Sequence, residues 1–455
     1  MPDQQPTTPL PVAPPPQDDD AYSVEDLRDA WHVLARADRV QALRALPRDT
    51  AEEFFFELGA RDQAHLLLDL PQAERRSWLR LLEPDDVADL VQEAGAANKD
   101  MLLGLLDETT KREVQALLAY AEDHAGGLMS TRFGRLRPEM TIAEAVTYLR
   151  KQSRESIGTI YYVYVLDQEQ RILGVVSFRE LLTAEPSQIV REVMHTEVHS
   201  IPEEMDQEQV GQLFAKTKFL AMPVVDAERR IKGIITADDV VNVVEEEATE
   251  DIQKMGGTEA LGEPYLQISF WAMIKKRAGW LAVLFVGEMF TATAMGFFEK
   301  EIEKAVVLAL FTPLIISSGG NSGSQATSLV IRAMALREIT LRDWFRVVRR
   351  ELGSGFSLGF FLGCIGFARI TLWHFVFGSY PDHHWLLATT VFASLIGVVA
   401  FGTVVGALLP FILRKLGFDP ASASAPFVAT LSDVSGLVIY FSVAAATFLR
   451  GAGIS

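Results

Sequence analysis

VATLSDVSGLVIYFSVAAATFL, residues 428–449, is long and apolar enough to cross a bilayer, yet it carries a carboxylate, Asp433. An ionised Asp near the centre of a membrane helix costs roughly 2.5–3.5 kcal/mol on insertion scales, so it belongs facing a protein interior or a water-filled path. Thr430, Ser432 and Ser435 flank it and make this the most polar turn of the run. Asp433 is therefore the first candidate for a permeation site.

Outward from this stretch, further apolar runs of span length fall near 279–298, 305–331, 352–377 and 385–412, and the last run extends over 422–449. Five spans are expected. The loops set their direction, because cytoplasmic loops carry an excess of Lys and Arg. Lys275, Lys276 and Arg277 precede the first span. Arg332, Arg337, Arg342, Arg346, Arg349 and Arg350 separate the second from the third, and Arg414 and Lys415 the fourth from the fifth. The alternate loops, FEKEIEK and GSYPDHHW, hold two Lys and no Arg. The N-terminal part is then expected in the cytoplasm, the spans in the cell's inner (plasma) membrane in contact with lipid, and the C-terminus outside.

Charge divides the chain at the same place. Residues 271–455 carry 15 Lys and Arg against 10 Asp and Glu, so the formal charge of −18 splits into +5 there and −23 in residues 1–270. An acidic front half excludes nucleic acid as a partner and suits cations. The single cysteine, Cys364, permits no intrachain disulfide. Residues 1–22, Pro-rich and without an apolar core, read as a disordered leader rather than a signal peptide.

Inside the spans, SSGGNSGSQATS (317–328) admits two readings: a tight helix interface built on small residues, or a broken, water-facing segment. Pro313, Pro410 and Pro426 favour the second, since carbonyls freed by proline need a partner. Glu288 reads either as a buried hydrogen-bonded carboxyl or as a functional group, and Arg369 as structural.

The front half has two kinds of pattern. Residues 24–124 show leucines at helical spacing, broken at LPRD, LPQAE and LEPDD, which predicts a stacked helical superhelix. On it, Asp85 and Asp89 are four residues apart and share a face, where they repel unless a cation intervenes. Residues 129–245 contain an internal repeat: MSTRFGRLRPEMTIAEAVTYL with YVYVLDQEQRILGVVSFREL, then MHTEVHSIPEEMDQEQVGQLF with MPVVDAERRIKGIITADDV. Each copy predicts a short strand, a helix, a strand ending in Asp, a turn, a strand and a closing helix. DDVVNVVEEEATEDIQKM (238–255) then packs seven carboxylates into a helical stretch, a crowding that hard divalent cations would relieve.

The repeat resembles a pair of CBS modules. With PLIISSGGNSGSQ (313–325) and PFVATLSDVSGLVIYF (426–441), the chain resembles the MgtE family of magnesium channels over nearly its whole length. The implied fold is multidomain: a disordered leader (1–22), an α-helical superhelix N-domain (23–127), α/β tandem CBS domains (128–190 and 191–245), an acidic connecting or plug helix with linker (246–270), and a five-span α-helical transmembrane domain (271–455). The resemblance implies no enzyme but a Mg²⁺ channel, homodimeric, with one pore on the two-fold axis lined mainly by spans two and five. Asp433 would be its selectivity carboxylate, and Asn321, Gly323, Gln325, Ala429, Thr430 and Glu288 pore-lining candidates. It also implies closure by cytosolic Mg²⁺ at Glu53, Asp85, Asp89, Asp206, Glu208, Asp239, Glu247, Glu250, Asp251 and Asp419. ATP or another adenine nucleotide in the CBS cleft is a further implication. Lys216, Lys218 and Asn242 depart from the family's acidic pattern, which puts one inter-domain cation site in question or replaces a bridging ion by a Lys–carboxylate contact.

Other readings are a Mn²⁺ or Co²⁺ transporter, a Na⁺- or H⁺-coupled Mg²⁺ exchanger, and a membrane-tethered CBS nucleotide sensor.

Overall fold

The computed structural model describes residues 24–31, 33–153, 161–263, 265–266, 268–380 and 383–451, and the expected leader lies outside them. The chain forms two compact units, residues 1–244 and 245–455.

In the first unit, among the described residues, eight helices run from Val24–Ala30 to Glu108–Leu117. Prolines explain three of their breaks. Proline cannot donate to the preceding turn but fits the start of the next helix: Pro47 and Pro71 cap Arg48–Glu57 and Gln72–Leu79, and Pro84 opens Pro84–Glu93. Each helix buries one apolar stripe, including Phe54, Phe55, Leu67, Trp78, Leu90 and Leu102. Ion pairs stitch helices two steps apart, Arg28 to Glu57 at 2.6 Å and Arg61 to Glu93 at 2.8 Å. The result is the stacked superhelix. Its core continues into Ile201, Val210, Val224 and Ile235 of the second repeat.

The repeats give two three-stranded sheets, β1 (Gly134–Leu136), β2 (Tyr162–Leu166), β3 (Ile172–Ser177) and β4 (Ile201–Pro202), β5 (Ala221–Val225), β6 (Ile231–Thr236). In each, the first strand is parallel to the second and the second antiparallel to the third. The Asp that closes β2 or β5 shapes the turn: Asp167 Oδ1 accepts from Glu169 N (2.9 Å) and Arg171 N (2.8 Å), and Asp226 Oδ1 from Glu228 N (3.0 Å) and Arg230 N (2.8 Å). One feature of the repeat is not readable from its spacing: the residues leading each copy pair with the other copy. Ser130 bridges to Ile234 in β6, and His195 bridges to Val175 in β3. The closing helix of the second copy does not stop at 245 but continues as a single helix, Ala237–Met255.

The second unit contains five helices able to span a membrane: span 1 (Phe270–Phe297), span 2 (Val306–Ala335), span 3 (Leu341–Phe377), span 4 (His384–Lys415) and span 5 (Ala425–Leu449). Most extend beyond the apolar runs because helix continues through their charged ends. Span 2 overturns the break expected in the second reading of SSGGNSGSQATS. A break occurs before it, after Val306–Ala309, and Thr312–Ala335 is then an unbroken helix. The proline argument needs correction: Pro313 and Pro426 sit in first turns, where no carbonyl is freed, and only Pro410 is interior.

Small residues let spans 2 and 4 touch backbone to backbone. A Cβ on Gly323 would lie 2.8 Å from the Gly402 carbonyl oxygen, and one on Gly402 would strike the carbonyl of Gly319. Thr327 Oγ1 adds a hydrogen bond to Gly406 O at 2.8 Å. Gly355, Gly359 and Gly363 bring span 3 against span 4 in the same way. Gly402→Ala is expected to destabilise the detergent-purified protein by about 1–3 kcal/mol through overpacking. Gly353→Ala, whose Cβ meets nothing, should cost less than about 0.5 kcal/mol. Equal melting temperatures for the two would show that spans 2 and 4 do not meet there.

Candidate functional site

Two groups of residues carry chemistry, one in each unit. In the membrane unit, Asp433 is half-buried on span 5, and among the described residues no hydrogen bond or ion pair holds its carboxylate. Small residues make room for it. A Cβ on Gly320 would lie 3.4 Å from Ala429 and 3.8 Å from Asp433 Oδ1, so the missing side chain of span 2 leaves space for the carboxylate of span 5. Ser324 Oγ donates to Ala425 O at 3.1 Å and fixes the two helices one turn below.

Span 2 has two faces. Gly319, Gly320 and Gly323 are buried against spans 4 and 5, whereas Ser317, Asn321 and Gln325 form an exposed polar strip at four-residue spacing. A polar strip on a membrane helix calls for water or another protein surface rather than lipid. The site residues expected in spans 2 and 5 thus divide. Gly323 is packing, Asn321 and Gln325 are on the open strip, and Ala429 and Thr430 are half-buried beside Asp433. Thr430 bonds its own helix at Pro426 O (3.1 Å) and touches Gly287 of span 1. Glu288 is not a buried hydrogen-bonded carboxyl: it is exposed on span 1, near enough to act electrostatically on Asp433. Arg369 is exposed and stacks over Trp373, 5.3 Å from the ring centroid, rather than meeting a carboxylate.

In the first unit, Pro84–Glu93 buries Val87, Leu90 and Val91, which turns its carboxylates outward. They meet the first turn of Ala237–Met255 across a cleft of about 330 Å³. Glu83, Asp85, Asp86, Asp238 and Asp239 line it, opposed by one cation, Arg132. Ser130 Oγ reaches Asp85 at 3.3 Å and Glu83 at 3.4 Å, and Thr236 N donates to Asp239 at 3.3 Å. Burial, then the neighbouring Asp86, pushes the Asp85 carboxyl up to about 8. Asp239 is raised to about 6 by burial, against the pull of the Thr236 hydrogen bond. Asp89, a turn further along, is held well above its ordinary range by burial and then by Asp85 and Asp86. A cation placed among these carboxyls would favour their ionised form.

Among the described residues, no three His, Cys, Asp or Glu side chains converge into a ready inner-sphere metal site. The cleft is wide enough to hold several waters. Six waters at about 30 Å³ each occupy roughly 180 Å³, which fits the available space, and Mg²⁺ is the cation that dehydrates reluctantly.

The remaining expected sites are not gathered there. Glu53 is exposed on Arg48–Glu57 and does not line the cleft. Asp206 caps a helix, accepting from Glu208 N at 3.0 Å, and Glu208 accepts from Gln212 at 2.9 Å. Glu247 and Asp251 are half-buried, four apart on Ala237–Met255. Glu250 and Asp419 come together, but on Lys254, whose ammonium lies 2.6 Å from Asp419 Oδ2 and also pairs with Glu250. Burial opposes that charge, and the bonds from Asp419 and Glu250 outweigh it, holding Lys254 above its ordinary value. Glu83 and Asp86 went unread in the sequence, and Asp238 counts there only as one of the seven acids of 238–255, although the doublets Asp85-Asp86 and Asp238-Asp239 mark the two sides of the cleft.

The chain is similar to known proteins over most of its length. Residues 312–443 match a family described as divalent cation transporter, residues 22–123 the MgtE intracellular N domain, and residues 125–187 and 190–246 the CBS domain. The chain is 41% identical to a magnesium transporter MgtE of Thermus thermophilus over 92% of each chain. It is 30% identical to the Bacillus subtilis magnesium transporter MgtE over 92% of this chain and 91% of that one. Among solved structures, the cytosolic domain of the Mg²⁺ channel MgtE in complex with ATP is 39% identical, covering 48% of this chain and 90% of that one with a TM-score of 0.45.

Proposed function

The chain belongs to the MgtE family, and on that premise we propose that it transports Mg²⁺ into the cell through a channel that cytosolic Mg²⁺ closes. The observation that carries the reading is Asp433, a carboxylate in a membrane span without a protein partner among the described residues, beside the open polar strip of span 2. Its role is to accept hydrogen bonds from the water shell of Mg²⁺, so the ion need not be stripped. The exposed strip Ser317, Asn321 and Gln325 is satisfied if a second copy closes a wet axis against it, which supports a homodimer with two Asp433 carboxylates on one path. Transport then needs no enzymatic step. A negative-inside potential supplies about 2.3 kcal/mol per charge per 100 mV, roughly 4.6 kcal/mol for a divalent ion.

Closure is assigned to the acidic cleft of the first unit. An ion bound there offsets the repulsion between Pro84–Glu93 and the start of Ala237–Met255, and favours the arrangement that holds both. The basic loops support a cytoplasmic first unit and an outside C-terminus. The tandem CBS modules support an adenine nucleotide as a further ligand.

Patch-clamp recording with Mg²⁺ varied on the cytoplasmic side tests the whole scheme. Expected are inward currents carried by Mg²⁺ that fall as cytoplasmic Mg²⁺ rises. Flux without current, dependent on Na⁺ or H⁺, would replace the channel by an exchanger. Currents carried by Mn²⁺ or Co²⁺ but not Mg²⁺ would change the substrate, and no flux at all would leave a tethered sensor.

A further inference from the structure

The segment 250–261 is fixed to the cytosolic starts of spans 1 and 5 by contacts that need no ion. Lys276 Nζ donates to the carbonyls of Ala260 and Leu261, and Gln253 Oε1 accepts from Leu261 N at 2.6 Å. Gly257, at φ +75°, lies so close to Trp280 that a Cβ there would be 2.8 Å from the indole nitrogen, which itself donates to Ser424 Oγ at 3.1 Å. Met255 packs on Ile331, Ala421 and Ala423.

At the centre of these contacts is the triad Glu250, Lys254 and Asp419. Both oxygens of Asp419 are engaged: Oδ1 accepts from Ala421 N at 2.8 Å, and Oδ2 takes the Lys254 ammonium at 2.6 Å. The same ammonium pairs with Glu250 one turn earlier on its helix. A divalent ion could bind this carboxylate pair only by displacing a charge already in contact with both.

We propose that Lys254 is the resident cation of the Glu250–Asp419 pair, a positioning residue that latches the connecting helix Ala237–Met255 to the start of span 5 at every cytosolic Mg²⁺ level. The inference rests on the gating reading above and divides its labour: the acidic cleft senses Mg²⁺, and the Lys254 triad transmits the position of the helix to the pore without binding the ion. It also places a Lys–carboxylate contact where the family resemblance implies a bridging ion.

The test is open probability of the full-length channel in excised patches, with nominally Mg²⁺-free and then graded Mg²⁺ solution on the cytoplasmic face. Lys254→Gln should raise the open-to-closed ratio in Mg²⁺-free solution about five-fold, the size expected for one partly exposed ion pair. Inhibition by Mg²⁺ should survive, and Lys254→Arg should restore the wild-type ratio, which a purely steric role of the side chain would not predict. Asp419→Asn, which keeps the cap to Ala421 but loses the charge, should reproduce Lys254→Gln and serves where that variant does not express. A Lys254→Gln ratio within two-fold of wild type overturns the latch. So does a variant inhibited at lower Mg²⁺ than wild type, since that is the signature of a Mg²⁺ site uncovered by removing the lysine. A wild-type channel indifferent to cytosolic Mg²⁺ would sink the gating reading, whereas normal wild-type inhibition beside an unchanged variant sinks the latch alone.

Discussion

Asp433→Ala is expected to cut Mg²⁺ uptake at least tenfold in a host that depends on this protein for Mg²⁺, with the variant expressed and folded as the wild type. Two effects set the size. The carboxylate is the only charge that span 5 carries in its apolar stretch, and it occupies space that Gly320 leaves on span 2. On the proposed channel reading, removing it takes away the field that would hold a doubly charged ion in a low-dielectric path. A loss of only about 1.4 kcal/mol at the barrier is already tenfold in rate, and an unscreened charge at this depth is worth more than that. Asp433→Asn should fall nearly as far, because the amide keeps the polarity without the charge, and Asp433→Glu should retain part of the flux. Uptake by the Ala variant within two-fold of wild type would remove Asp433 from the pathway.

Much of this architecture was legible because its signals are periodic and local. Leucines at helical spacing between Leu-Pro breaks predict the superhelix, and the repeated strand-Asp-turn pattern predicts two equivalent sheets. The apolar runs predict five spans, with starts misplaced by nine residues in span 1 and eleven in span 3, since helix outlasts hydrophobicity wherever Lys and Arg reach the interface. What stayed hidden was pairwise. No spacing rule says that Ser130 pairs with the other repeat, that Gly320 faces Asp433, or that Lys254 satisfies Asp419 across 165 residues of chain. The same limit governs the acidic sites. Asp85 and Asp89 share a helix face, so their pairing is local and was foreseen, but which distant acids join them depends on packing. That packing brings Asp238 and Asp239 to Asp85, with Asp89 a turn further along, while leaving Glu53 outside the lining and Asp206 as a helix cap.

The second large effect follows from that cleft. With Asp85, Asp89 and Asp239 all changed to Asn, the half-inhibitory level of cytosolic Mg²⁺ should rise at least tenfold, so that the response is flat over the range that closes the wild type. The amides keep the size and the hydrogen-bonding capacity, so Thr236 and Ser130 retain partners and folding should be preserved. On the proposed gating reading, they remove both the repulsion that would open the cleft and the charge that would recruit the ion. The variant is therefore expected to be flat rather than locked open or shut, its activity set by ion-independent contacts such as the Lys254 triad. The magnitude has a physical floor: two unit charges 4 Å apart at an effective dielectric constant of about 20 interact by about 4 kcal/mol. Three carboxylates acting through a water shell need contribute only a third of that between them to account for a tenfold shift. Glu53→Gln gives the contrast, since its exposed side chain does not line the cleft and its loss should move the inhibition curve less than two-fold. An unchanged Mg²⁺ response in the triple variant, measured in the same patches, would take the sensor out of this cleft.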